Sequence, residues 1–112
     1  MITVSGLELQ NRMRAAEPLV VLVTRRRAPA SDAAVHALTQ AGAALADDGA
    51  AVDIVGLDAD DSDNATLLDD LRVRFIPAMF VCARGVILER TAPASADDAA
   101  LLIRTALRRM RR

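Results

Sequence analysis

The run Leu19-Val20-Val21-Leu22-Val23 sets the firmest limit on what this chain can fold into. It consists only of valine and leucine and carries no polar residue. A strand with one wet face alternates apolar and polar side chains. An unbroken apolar run is instead what a strand buried on both faces requires. Pro18 precedes the run and Arg25-Arg26-Arg27 follows it, so it is far too short to span a bilayer. The rest of the chain must therefore supply helices for both sides of a sheet.

The patterning supplies them. Ile2-Thr3-Val4 is a short β-prone run broken by Ser5-Gly6. Leu7 to Ala16 reads as a helix ended by Pro18, because the residue before a proline avoids the α region. Beyond the arginines, Ala28-Pro29-Ala30 reads as loop, and Ser31 or Asp32 caps the next helix. That helix runs to about Ala46, with Val35, Leu38, Ala41 and Leu45 on one face, and Asp48-Gly49 stops it. Val52 to Leu57 is the next strand. The acidic stretch Asp58 to Asp63 leads to a helix capped near Asn64, with Leu67, Leu68 and Leu71 apolar. Pro77 starts the strand Ala78 to Ala83. Arg84-Gly85 is a tight turn signal, and Val86 to Thr91 pairs back as a hairpin. Ser95 opens the last helix, with Asp98 at capping-box spacing. Leu101, Leu102, Ala106, Leu107 and Met110 form its apolar side. The order is β-α-β-α-β-α-β-β-α, one α/β domain over residues 1–112. Helices cover both faces of a parallel sheet, and the hairpin adds an antiparallel edge.

Composition removes whole classes of function. The net charge is -1, against the clustered positive charge a nucleic-acid binder needs. Cys82 is the single cysteine, which excludes a disulfide framework and any cysteine-rich zinc site. Met1 to Arg14 holds no signal-like apolar core, so cytoplasmic residence is the expectation. All 14 basic residues are arginine. Together with the abundant alanine, this fits a GC-rich bacterial genome.

The element order and several local motifs resemble the thioredoxin family, over nearly the whole chain. The most specific piece is Leu71-Arg72-Val73-Arg74-Phe75-Ile76-Pro77-Ala78-Met79-Phe80-Val81. It is similar to the family's helix end, Ile-Pro-Thr turn and following strand. The family keeps that proline cis, so the resemblance implies a cis bond at Ile76–Pro77. Arg84-Gly85-Val86 resembles the family's Asn-Gly-Glu hairpin turn. Leu19 to Thr24 resembles the strand that runs into Trp-Cys-Gly-Pro-Cys-Lys. With Pro29 set on the motif proline, the tryptophan position falls at Arg26, the cysteine positions at Arg27 and Ala30, and the family's buried acid at Thr24. Thiol–disulfide exchange needs an attacking thiolate and a second thiol to resolve the mixed disulfide. The resemblance thus implies a thioredoxin-like domain without the CxxC pair, without thioredoxin activity and without a cofactor. Some thioredoxin-like bacterial proteins of this kind are accessory proteins in [NiFe]-hydrogenase assembly, and Arg74-Phe75-Ile76-Pro77-Ala78 resembles a stretch that recurs in them.

Several constellations are open to more than one reading. Cys82 falls on the same strand face as Phe80, as a small core residue or as a reactive thiol. Arg25-Arg26-Arg27 is a solvated loop or an anion site at a helix start. Asp58, Asp60, Ser62 and Asn64 mimic the start of a calcium loop, yet the required glycine is Asp63 and the bidentate glutamate is Asp69. A capped helix with solvated acids accounts for the same residues. His36 reads as a surface helix residue. Arg104, Arg108, Arg109, Arg111 and Arg112 form a basic C-terminal end, as a solvated terminus, a contact for an acidic partner or a membrane surface, or a head-to-tail match for Asp58 to Asp63.

Two functions follow. The first is a redox-inactive binding or chaperone-like module. In the family, substrates lie as an extended strand along the residue before the cis proline, so the platform needs backbone and not sulfur. Its candidate residues are Arg26, Arg27, Ala28, Pro29, Ala30, Ile76 and Pro77, and its partner is a protein or peptide, with a hydrogenase subunit as one version. The alternative is a thiol- or glutathione-dependent oxidoreductase using Cys82 or the Arg25–Arg27 loop.

Overall fold

The computed structural model describes residues 1–93 and 95–110. Five strands and four helices follow in order: β1 (Ile2–Thr3), α1 (Gly6–Met13), β2 (Leu19–Thr24), α2 (Pro29–Asp47), β3 (Asp53–Asp58), α3 (Ala65–Asp70), β4 (Ala78–Ala83), β5 (Val86–Thr91) and α4 (Ala96–Met110). A 3-10 turn at Ser62–Asn64 leads into α3. The strands form one mixed sheet in the order β1-β3-β2-β4-β5. No described helix is long and apolar enough to cross a membrane.

β2 occupies the centre, as its unbroken apolar run requires. Val20, Val21, Leu22 and Val23 are all fully buried. The alternation of the strand splits them between two cores. Val21 and Val23 join Val55, Leu57, Phe80 and Cys82 beneath α1 and α3. Val20 and Leu22 join Met79 and Val81 beneath α2 and α4. Helices therefore cover both faces of the sheet.

The terminal hairpin forms the antiparallel side of the sheet, as expected: β4 pairs antiparallel with the central β2, with Val23 opposite Ala78 and Leu19 opposite Cys82, and β5 is the edge strand. Only β1 and β2 run parallel to β3. The hairpin turn Arg84-Gly85 has φ 54° and 76°, the pair of positive values that a tight two-residue hairpin takes.

The helix boundaries also shift. α1 ends at Met13 rather than Ala16. The carbonyl of its last residue and one just past its end are taken by the hairpin turn: Gly85 N–H donates to Met13 O at 2.7 Å and Arg84 N–H to Ala15 O at 2.7 Å. α2 starts at Pro29, with Ala28 as its N-cap, so neither Ser31 nor Asp32 caps it. Proline suits a first helical position because the N–H it lacks would have no partner there. Asn64 makes no side-chain cap; Asp61 accepts from Asp63 N–H instead. On α2, Ala34 takes the fully buried position expected of Val35, beside Leu38, Ala41 and Leu45. On α4 the buried residues are Ala99, Ile103 and Ala106, and Leu101 is exposed. Ser95 does cap α4, accepting from Asp98 N–H at 3.1 Å.

Candidate functional site

Register brings the candidate residues to one end of the sheet. β2 and β3 run parallel with Thr24 opposite Asp58, so the loops that leave them emerge side by side. β4 enters from that same end, because Val23 pairs with Ala78. The loop of Arg25, Arg26, Arg27 and Ala28, the start of α2 at Pro29 and Ala30, and the turn at Ile76–Pro77 are thereby neighbours. The Ile76–Pro77 bond is cis.

The arginine loop is bound to the acidic loop. Arg26 donates from Nε to Asp58 Oδ2 at 2.7 Å, and its backbone N–H to Asp60 Oδ2 at 2.6 Å. Arg25 Nη1 donates to Asp60 Oδ1 at 3.2 Å. Asp58 Oδ1 also accepts from Asp60 N–H at 2.9 Å, which folds the acidic loop back on itself. Ala59 N–H donates to Thr24 O at 2.8 Å. Two of the three guanidinium groups are thus already matched by carboxylates. The two oxygens that a calcium loop would offer first, those of Asp58 and Asp60, hold arginine. Among the described residues no group of three or more His, Cys, Asp or Glu side chains converges as a metal site would need.

Beneath this layer sits Ser31, which is buried and accepts from Arg25 N–H at 3.0 Å. It anchors the first residue after β2 to the first turn of α2. All three arginines of the loop are exposed, and Arg27 is held at φ 53°, in the left-handed region.

The stretch before Pro77 has its own local logic. α3 ends in a pair of reversed hydrogen bonds: Val73 N–H donates to Leu68 O and Arg72 N–H to Asp69 O, both at 3.0 Å. This arrangement needs a left-handed residue, usually glycine, just past the helix. Arg72 fills it at φ 57°. Arg90 reaches across from β5, donating from Nη1 to Leu71 O at 3.1 Å and Arg72 O at 3.4 Å. A groove of about 290 Å³ lies beside Pro77, with Val73, Ala78, Met79 and Phe80 among its apolar lining and Arg72, Arg74 and Arg90 at its margins. Phe75 belongs to the same lining and is 81% exposed.

Cys82 lies elsewhere. It is fully buried near the far end of β4, with Phe80 on the same core face, and its Sγ–H donates to Leu19 O at 3.7 Å. Burial pushes its pKa up to about 11, so the thiol stays protonated near neutrality. His36 is exposed on α2. Of the basic C-terminal run, Arg104 pairs with Asp48, and Arg109 pairs with Glu89 at 2.9 Å. Arg111 and Arg112 lie outside the described residues.

The patterning gave Ser31 a different role, as a helix cap, and placed Arg72 and Phe75 only within the motif around Pro77. Arg90 was not singled out, because it acts through a contact between segments some twenty residues apart, which no local pattern shows.

The structure is similar to solved thioredoxins. Thioredoxin f from spinach chloroplast matches with a TM-score of 0.75 at 18% identity, covering 95% of this chain and 92% of that chain. The thioredoxin-like domain of Arabidopsis NCP (nuclear control of PEP activity) matches with a TM-score of 0.77 at 22% identity, covering 88% of this chain and 70% of that chain. Thioredoxin f2 in complex with ferredoxin:thioredoxin reductase gives a match with a TM-score of 0.72 at 16% identity, covering 95% and 94%. The sequence matches no protein-family model and no curated protein. The fold is thioredoxin-like: a mixed five-stranded sheet with helices on both faces and a cis proline before its terminal hairpin.

Proposed function

We propose that this chain is a protein-binding module that holds an extended partner segment along Ile76–Pro77 and performs no thiol–disulfide exchange. The observation that carries the reading is the surface beside the cis proline. It combines an open apolar groove with an aromatic side chain left 81% exposed, at the same sheet end as the loop of Arg26 to Ala30. An aromatic left exposed beside an open apolar groove makes a continuous apolar surface, which marks a contact site more often than an isolated exposed residue does. A strand-like ligand here needs main-chain groups and side-chain pockets, and both persist without sulfur. The chain's single thiol supports the second half of the reading, because it is buried in the core and held protonated. A thioredoxin f2 of the same fold forms a complex with a protein partner, ferredoxin:thioredoxin reductase. The version in which the partner is a [NiFe]-hydrogenase subunit under assembly, with a chaperone-like role in the cytoplasm, rests on the resemblance at Arg74–Ala78.

Affinity capture under reducing conditions from the cells that make the protein tests the binding half. A specific protein retained above background is expected, and an empty capture overturns the reading. Insulin reduction and a thermal-shift titration with glutathione test the other half. Neither turnover nor a shift is expected. Turnover that disappears in Cys82→Ala would establish the alternative thiol chemistry.

A further inference from the structure

We infer that the groove beside Pro77 takes an apolar side chain from a partner segment that carries carboxylates on both sides of it. The inference rests on the protein-binding reading above and names the chemistry of the partner.

Size comes first. At about 290 Å³ the groove falls just below the roughly 300–1,000 Å³ typical of small-molecule pockets. It suits one large side chain better than a free metabolite. Val73, Pro77, Ala78, Met79 and Phe80 give it an apolar lining, so an aliphatic or aromatic side chain gains by leaving water there.

Charge comes second. Arg72, Arg74 and Arg90 line the groove, and no Asp or Glu does. The chain as a whole is at -1, so this concentration of positive charge runs against its average. The contrast with the neighbouring loop is direct. Arg25 and Arg26 are matched by Asp60 and Asp58. Arg90 instead spends its hydrogen bonds on the carbonyls of Leu71 and Arg72, which fix its position and leave its charge uncancelled. Among the described residues, neither Arg72 nor Arg90 forms an ion pair. Arg74 meets Asp69 at 3.3 Å, with side chains 61% and 80% exposed. Such a pair is weak and readily exchanged for another carboxylate. Guanidinium groups placed around an apolar groove favour carboxylates by charge-assisted hydrogen bonds, and they steer acidic segments toward it. A basic segment is repelled.

Two synthetic peptides test this. One has central leucines flanked by glutamates, and the other has glutamines in place of the glutamates. By fluorescence anisotropy at low salt, the acidic peptide is expected to bind at least about tenfold more tightly. The gap closes as salt is raised. ¹⁵N-labelled protein should show amide shifts at Val73, Phe75, Phe80 and Thr91. The variant Arg72→Gly with Arg74→Gln keeps the left-handed turn while removing two charges, and it should abolish the preference. Equal binding of both peptides, or shifts centred on Arg104 and Arg108 of α4, overturns the acidic-partner inference. In that case the protein-binding reading still stands or falls on affinity capture.

Discussion

Cys82 shows how burial decides the chemistry of a single atom. Its pKa rises from the ordinary 9.0 to about 11 because the core gives a thiolate no solvation. The folded state therefore keeps its proton at pH values where the unfolded chain has lost it. The resulting stabilisation is complete below pH 9 and is lost as pH rises through about 11. Urea denaturation from pH 8 upward should show stability falling by on the order of 2 kcal/mol across that window. In Cys82→Ala this component should vanish. Native Ellman titration at pH 8 should be slow and limited by opening of the core. Arg72 makes a different point. A non-glycine residue at φ 57° carries a steric cost that glycine avoids. Arg72→Gly should raise stability by about 1 kcal/mol, read as a higher thermal midpoint. A loss of stability would show that the arginine side chain makes a compensating contact.

The loops at the sheet end act as a unit. Ser31 fixes Arg25, while Asp60 fixes both the Arg26 backbone and the Arg25 side chain. Ser31→Ala leaves a partly buried N–H without its acceptor and should cost about 1 kcal/mol in chemical denaturation. Asp58→Asn removes an ion-pair charge whose arginine is 70% exposed, and should cost less than about 1 kcal/mol. Amide exchange at Arg26 should quicken in Asp60→Ala and stay near wild type in Asp58→Asn. This network also shows where reading the sequence stops. Both charge runs were visible, and each read as an independent solvated loop or ion site. What joins them is the parallel register that sets Thr24 opposite Asp58, a contact across more than thirty positions of sequence. Ser31 was legible as a polar residue near a helix start, but Pro29 had already opened the helix, so its hydroxyl faces inward to Arg25.

Across the molecule the strands were the most legible elements. Leu19 to Val23 demanded a central place, and the runs Ala78 to Ala83 and Val86 to Thr91 were bounded by Pro77 and Arg84-Gly85. Burial on both faces leaves a strong periodic trace, and turn residues mark where it ends. The pairing of β4 with β2 in particular left no such trace, because pairing between distant strands is set by packing of the whole sheet. The groove was illegible for the same reason. Its walls come from the turn after α3 and from the start of β4 and the end of β5, and only the fold brings Arg90 to Arg72. The cis turn at Ile76–Pro77 and the arginines beside the groove are thus brought together only by the fold. The decisive comparison is the amount of partner captured from native cells by wild type, Cys82→Ala, Arg27→Gly and Ile76→Thr under reducing conditions. Retention of the same partner by wild type and Cys82→Ala, with clear weakening in Arg27→Gly and Ile76→Thr, is the result expected of a strand-binding platform that works without sulfur. A partner lost in Cys82→Ala and indifferent to Ile76 and Arg27 would contradict it.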